Sequence, residues 1–288
     1  MAIGVYTMDR LVQSILDGRT DLEEDEIRHL TGLTQDLLRE KPNVVNIPSE
    51  NVVFIGDLHG ELASALSVQR LIQKYDNHHF VFLGDYVDRG PEQIETFSLV
   101  MALALAHPGR VMMLRGNHES EEIVARYGFY NAVTSSYPLD IFNSYARVFV
   151  VLPIAAYHKN AIFACHGGIP EGVTSIEDIQ SCNRRDPNFP DDIVFQLVWN
   201  DPQEGPFRFK ANIRGDRARY YGQEAFDTFM KNIDAHLMFR AHEVFPEGYV
   251  TFFQDRLVSV FSASYGGQVQ PKAIRLGHDN RLETLSLR

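Results

Sequence analysis

Between residues 51 and 119, three short apolar runs alternate with two amphipathic stretches. The runs are NVVFIG (51–56), HFVFLG (79–84) and RVMMLR (110–115). The stretches between them are ELASALSVQRLIQKY and PEQIETFSLVMALAL. Val68, Leu71, Ile72 and Tyr75 recur at helical spacing in the first stretch, and Ile94, Phe97, Met101 and Leu105 do so in the second. The pattern is β-α-β-α-β. Strands joined by crossover helices lie parallel and need helical cover, so this half of the chain is committed to an α/β arrangement.

The ends of those strands carry the chemistry. The first closes in Gly56-Asp57-Leu58-His59-Gly60, the second in Gly84-Asp85-Tyr86-Val87-Asp88-Arg89-Gly90, and the third in Arg115-Gly116-Asn117-His118-Glu119. Carboxyl ends of parallel strands lie side by side, so Asp57, His59, Asp85, Asn117 and His118 are expected in one crevice. His166, in Cys165-His166-Gly167-Gly168, and His242, in Arg240-Ala241-His242-Glu243, end later apolar runs. His242 has the thinnest local context.

Carboxylate, carboxamide and imidazole without thiolate make a donor set for manganese, iron or zinc. There are too many donors for one ion. A shared Asp85 would bridge two, with Asp57 and His59 around the first and Asn117, His166 and His242 around the second. Two ions roughly 3.5 to 4 Å apart can hold a hydroxide and clamp an in-line displacement at phosphorus. His118 is read as a proton donor to the leaving oxygen, kept protonated by Asp88. Arg89 offers a planar fork to phosphate oxygens.

Each residue has a plainer reading. Asp57 and Asp85 could be helix caps, and Asp88 with Arg89 a surface ion pair. Cys165 reads as a small buried hydrophobe, Trp199 as a core anchor, and Glu23-Glu24-Asp25-Glu26 as a solvated face. The seven remaining histidines read as ordinary surface or core residues. Two cysteines in all, Cys165 and Cys182, exclude a disulfide framework.

The rest of the chain frames this centre. The first fifty residues read as helical and polar, with Leu11, Ile15, Ile27, Leu30, Leu33, Leu37 and Leu38 at helical spacing. In the later half RVFVVLPIAAY, AIFACH, HLMFRAH, YVTFF and LVSVFSAS predict a second, mixed or antiparallel sheet. Residues 183–223, rich in Pro, Gly and charge, read as long surface loops. Lys plus Arg number 27 against 38 Asp plus Glu, a net charge of −11, which argues against nucleic-acid or anionic-membrane partners. No stretch approaches the roughly 18 to 20 apolar residues that span a bilayer, and MAIGVYTMDRLVQ shows no leader pattern, so a soluble, cytoplasmic protein is expected.

Taken in order, GDLHG, GDYVDRG, LRGNHE, CHGG and RAHE, with the connectors YGFY (127–130), LPIAA (152–156) and LVWNDP (197–202), resemble the phosphoprotein phosphatases of the metal-dependent serine/threonine family. The resemblance runs from about residue 10 to about residue 275. It implies the calcineurin-like metallophosphoesterase fold, a two-sheet sandwich flanked by helices (α/β/β/α), as a single catalytic domain over 1–288 with residues 1–50 packed on it. It implies Asp57, His59 and Asp85 on one divalent metal and Asp85, Asn117, His166 and His242 on the other. Manganese is expected in vitro, with iron or zinc as alternatives in the cell. His118 would be the general acid supported by Asp88, and Arg89 a phosphate clamp.

Two further residues come only from the resemblance. Arg214, in Asn212-Ile213-Arg214-Gly215, matches a second phosphate-binding arginine, and Tyr265, in Ser262-Ala263-Ser264-Tyr265-Gly266, matches a tyrosine overhanging the site. The Tyr265 loop is about one residue shorter than the family's and lacks its cysteine, so covalent capture by cyclic-peptide toxins is expected to fail. The chain ends at Arg288 soon after the last expected strands, which implies a minimal catalytic subunit. Phosphoprotein substrates and unidentified regulatory subunits are the partners implied. Within the same fold a dinucleoside polyphosphate hydrolase is the alternative substrate reading, and an inactive phosphoprotein-binding scaffold the non-enzymatic one.

Overall fold

A computed structural model describes residues 9–278 and 281–287; the leader reading over residues 1–8 and the chain end at Arg288 fall outside them. In chain order the first half holds α1 (Arg10–Leu16), α2 (Glu24–Leu38), β1 (Val44–Asn46), β2 (Val52–Ile55), α3 (Leu62–Lys74), β3 (His79–Phe82), α4 (Gln93–Ala106), β4 (Val111–Met113), α5 (Glu121–Tyr127), α6 (Phe129–Thr134) and α7 (Leu139–Phe149). The second half holds β5 (Ala155–His158), β6 (Ile162–Cys165), α8 (Ile176–Gln180), α9 (Asp192–Trp199), β7 (Asp201–Pro202), β8 (Phe209–Asn212), β9 (Gly215–Tyr221), α10 (Gln223–Asn232), β10 (Leu237–Arg240), β11 (Tyr249–Phe252), β12 (Leu257–Val260), β13 (Lys272–Leu276) and β14 (Leu282–Ser286).

Two sheets stack face to face. One runs β14-β13-β2-β3-β4, with β2, β3 and β4 mutually parallel as the alternating pattern requires. The other runs β1-β5-β6-β10-β12-β11 and mixes parallel with antiparallel pairs. Period-two alternation sorts the side chains: Val52, Phe54, Val81 and Leu83 meet Ile162, Ala164, Phe239 and Val258 in the layer between the sheets. Phe54 and Phe239 stack there with ring centroids 3.8 Å apart. Val53, Ile55, Phe80 and Phe82 face the opposite way, toward α1–α7. Phe163, Cys165 and Met238 face α9 and α10 on the far side. The layers are α/β/β/α.

Helix α4 shows why the N-terminal segment is needed. Its sequence is apolar on every side, and Phe97, Leu99, Val100, Met101, Leu103 and Ala104 are all buried. A helix without a polar face must be covered all round, and α1, α2 and α3 pack on it. The acidic start of α2 is a capping box, with Glu26 also in a twin bond to Arg19 at 2.7 Å.

Three readings of local sequence are corrected. The run RVFVV belongs to the end of α7 and the turn after it, and strand begins only at Ala155. A short apolar run is equally suited to a buried helix, and Val148 and Phe149 are buried on the helical side. Residues 183–223 are not only loop: they contain α9 and a three-stranded sheet, β7-β9-β8, whose hairpin carries Asn212 to Gly215. Within the first fifty residues β1 adds an edge strand beside β5.

Candidate active site

Asp57 follows β2, Asp85 follows β3, and Asn117 and His118 follow β4, so the parallel register brings these loops together. His166 follows β6 and His242 follows β10, neighbouring parallel strands of the other sheet. The two sets meet at one end of the sandwich. A pocket of about 370 Å³ opens there, lined by Asp57, His59, Asp85, Arg89, Asn117, His118, Arg214, His242 and Tyr265 among others. Asp88 and His166 lie beneath its surface, both fully buried.

The backbone is bent to aim these groups inward. His59, Asp85, Asp88, Arg89, His242 and Tyr265 all have left-handed φ between 44° and 72°, a region that costs non-glycine residues energy and recurs at functional sites. Neighbouring bonds hold the bends: the amides of Leu58 and His59 both donate to the Asp85 carbonyl at 3.0 Å. Gly116 is forced by contact, because a Cβ there would stand 2.2 Å from Asp85 Oδ1.

Each aspartate uses one oxygen for structure. Asp57 Oδ1 accepts from the His242 amide at 3.0 Å, and Asp85 Oδ1 from the His118 amide at 2.9 Å. The second oxygens face the pocket. Asp85 Oδ2 lies 3.7 Å from His59 Nε2, 3.3 Å from His166 Nε2 and 3.9 Å from His118 Nε2. Asp57 Oδ2 lies 3.6 Å from His59 Nε2.

This donor set fits divalent cations. His59 Nδ1 faces the Val87 carbonyl at 2.9 Å and His166 Nδ1 the Leu83 carbonyl at 3.1 Å. With Nδ1–H donating there, each Nε2 presents a lone pair. The His166 lone pair then faces another acceptor, Asn117 Oδ1, at 2.9 Å, and His242 Nδ1 at 3.2 Å. Such acceptor-to-acceptor spacings are those of ligands sharing an ion with bonds of about 2.1 Å. Burial, then the charge of Arg214, keeps His242 well below the usual imidazole range and therefore neutral. Burial, then Asp85, pushes Asp57 up to about 6, the penalty of adjacent carboxylates that a cation would relieve. Cys165 supplies no thiolate, since burial pushes its pKa up to about 12.

His118 stands apart from these ligands by its partner. Its Nδ1 is 2.5 Å from Asp88 Oδ2, and Asp88 Oδ1 accepts from the Phe129 amide at 2.8 Å. Burial works against protonation of His118, yet Asp85 and Asp88 together outweigh it and raise its pKa. Asp88 is therefore no surface ion pair with Arg89, and neither Asp57 nor Asp85 caps a helix.

The arginines are supported differently. Arg89 lies against the rings of Tyr127 and Tyr265, 4.9 and 6.0 Å from their centroids. Arg214 sits at the β8–β9 hairpin, its Nε donating to Asp201 Oδ2 at 2.6 Å. Tyr265 is half-buried, and its pKa is pushed up to about 12 by burial despite Arg89 nearby.

Sequence reasoning missed three supports. Buried Glu119 accepts the amides of Asp85, Tyr86 and Gly116 at 2.8 to 2.9 Å, clamping two ligand loops together. Buried Asp201 joins Arg214 to Arg240, which it meets at 3.0 Å. Trp199 packs against the core as expected and also walls the pocket, meeting the His242 ring edge-on at 5.5 Å. Glu119 could have been suspected from its place in the Asn-His-Glu loop; Asp201 stands in the LVWNDP connector, but nothing nearby in the chain points to Arg214 or Arg240 as its partners.

Known proteins share this architecture. Residues 50–246 match the calcineurin-like phosphoesterase family. Over 266 residues, 91% of the chain, identity is 33% with a PP2A-like serine/threonine-protein phosphatase of Candida albicans, of which the match covers 63%, under two thirds of its length. Identity is 32% with the serine/threonine-protein phosphatase 4 catalytic subunit of Kluyveromyces lactis, over 89% of this chain and 82% of that one. The structure of a Saccharomyces cerevisiae protein serine/threonine phosphatase with similarity to human phosphatase PP5 superposes with a TM-score of 0.83 at 27% identity, covering 94% of this chain and 91% of the other. A cold-active protein-tyrosine phosphatase of a Shewanella species shares the fold, with a TM-score of 0.61 at 18% identity over 87% of this chain and 84% of its own.

Proposed function

This chain belongs to the calcineurin-like phosphoesterase family, and on that footing we propose that it is a metal-dependent protein serine/threonine phosphatase hydrolysing phosphoserine and phosphothreonine monoesters. One observation carries the reading: six metal-type donors, a histidine–aspartate pair and two arginines converge on a single pocket. Asp57, His59 and Asp85 would hold one cation, and Asp85, Asn117, His166 and His242 a second. Manganese, iron or zinc bound there would supply Lewis-acid activation of water and neutralise phosphoryl charge.

The chain's own groups do the rest. Arg89 and Arg214 face the pocket from opposite loops and bind phosphoryl oxygens, fixing phosphorus for in-line attack. As the bond from the attacking water oxygen to phosphorus forms, the bond to the seryl or threonyl oxygen breaks. His118 Nε2 delivers its proton to that departing oxygen, and Asp88 stabilises the imidazolium beforehand. Tyr265 overhangs the phosphate and excludes water from one side. The helical segment within residues 1–50 belongs to the same catalytic unit, a reading supported by α1 and α2 packing on α4. Among the described residues no helix is long and apolar enough to cross a membrane. Cytoplasmic phosphoproteins and regulatory subunits complete the setting proposed.

The test strips the protein of metal and restores Mn²⁺, Fe²⁺, Zn²⁺ or Mg²⁺ in turn. Turnover is then compared on phosphoserine, phosphothreonine and phosphotyrosine peptides and on diadenosine tetraphosphate. Metal-dependent turnover of the first two is expected. Faster hydrolysis of diadenosine tetraphosphate would move the assignment to the dinucleotide, and metal binding without any turnover would leave a scaffold.

A further inference from the structure

Glu61 stands at the N-cap position of α3, yet its carboxylate makes no bond to that helix's amides. It crosses instead to the loop that carries Tyr265. The Ser264 amide donates to Glu61 Oε2 at 2.7 Å, the Ser264 hydroxyl donates to Oε1, and the Ser64 hydroxyl donates to Oε2 at 2.6 Å. Both donors of Ser264 thus end on one side chain 203 positions away.

Ser264 is also where the turn begins. Its carbonyl accepts from the amides of Gly267 at 3.0 Å and Val269 at 2.9 Å. Tyr265, Gly266 and Gly267 are all left-handed, at φ 49°, 66° and 88°. Three such residues in succession form a short, sharply bent segment, and its register rests on the anchor at its start. The Tyr265 ring projects from that segment onto the His59 ring, 5.9 Å between centroids, and onto the Arg89 guanidinium. Among the described residues Arg89 makes no salt bridge, so the rings of Tyr127 and Tyr265 are what orient its charge.

We propose that Glu61 is a positioning residue for phosphate binding: it fixes Ser264, Ser264 fixes Tyr265, and Tyr265 holds the Arg89 fork toward the pocket. The proposal rests on the reading of Arg89 as a phosphate-binding group. It deepens that reading by adding a carboxylate that touches neither metal nor substrate. A purely structural role for Glu61 makes a different forecast, namely loss of fold and metal together.

The test measures the affinity of the manganese-loaded protein for inorganic phosphate by calorimetry, with kcat and KM on a phosphothreonine peptide and metal content by mass spectrometry. Glu61→Ala is expected to weaken phosphate binding and raise KM about tenfold, the scale of one charge-assisted bond, with kcat within about twofold and metal content unchanged. Glu61→Gln should recover most of the affinity, because its amide oxygen still accepts from Ser264. Added to Tyr265→Ala, Glu61→Ala should cost nothing more. Unchanged phosphate affinity in Glu61→Ala, or losses that add fully to those of Tyr265→Ala, overturns the tether. Arg89→Ala separates the two levels. If it leaves phosphate affinity intact, the clamp itself is wrong and the proposal falls with it. Ser264→Ala, which removes only the hydroxyl, should weaken phosphate binding about threefold, and it keeps the test available if Glu61→Ala does not fold.

Discussion

Replacing Asp88 by asparagine changes one atom of the histidine–aspartate pair and leaves its shape intact. The Phe129 amide, 2.8 Å from Asp88 Oδ1, can only donate, so the new amide oxygen must face it. The NH₂ group then faces His118 Nδ1, at the 2.5 Å contact now made by Asp88 Oδ2. Nδ1 must become an acceptor, which fixes His118 as neutral imidazole with its proton on Nε2. That form still donates a hydrogen bond but is a far weaker acid than imidazolium. The charge of Asp88, which offsets burial, is gone, so the pKa of His118 falls. General acid catalysis is typically worth 10² to 10⁴, so kcat on a phosphothreonine peptide should drop about 10²- to 10³-fold with little change in KM. A p-nitrophenyl ester leaves without needing the proton and should lose less than about tenfold. The sign of the pH effect follows from the raised pKa. The acid form is present below that pKa and is lost as pH rises through it. The alkaline limb of wild-type kcat should therefore lie above the ordinary histidine value, and in Asp88→Asn it should move to lower pH. Equal losses on both substrates, or a peptide loss under about threefold, would refute the assignment of His118 as proton donor.

Gly116→Ala places a methyl group 2.2 Å from Asp85 Oδ1. It should lower bound manganese and reduce turnover at least about tenfold while costing about 1–3 kcal/mol of stability; full manganese by mass spectrometry would contradict this. Phe239→Ala removes one ring of the stack with Phe54 between the sheets and should lower urea stability by about 3–5 kcal/mol without altering KM. A loss below about 1.5 kcal/mol would mean that the two-sheet layer is not close-packed there. The chain as a whole is acidic, at a net −11. Peptides with Lys or Arg beside the phosphoserine should thus show higher kcat/KM than acidic ones at low salt, a preference that shrinks as salt is added. The reverse ranking would remove the argument from global charge.

What could be read in the sequence follows the reach of each interaction. The parallel β2-β3-β4 core was legible because hydrophobic period and strand-end motif coincide within a few residues. The same locality made Asp57, His59, Asp85, Asn117 and His118 visible as a group. The RVFVV run was misread because four consecutive apolar residues suit a buried helix end as well as a strand. The hairpin holding Arg214 was hidden in a Pro- and Gly-rich stretch, where turn residues look alike whether or not they join strands. Glu61 and Asp201 were invisible for a common reason. They work by accepting bonds from groups distant in the chain or fixed by a turn, and a lone acidic residue carries no trace of such partners.

The donors at the pocket ride on both sheets, Asp57, Asp85 and Asn117 on one, His166 and His242 on the other. An ion gripped by both sets is therefore also a rivet across the seam of the sandwich. An ion held by Asp85, Asn117, His166 and His242 would close the long stretch of chain between Asp85 and His242, and pinning the ends of so long a loop removes conformational freedom from the unfolded chain. Catalytic competence and mechanical closure are then one property. A chelator that silences the pocket should also let the sheets part at that end, where amide exchange would speed first at the ends of β6 and β10.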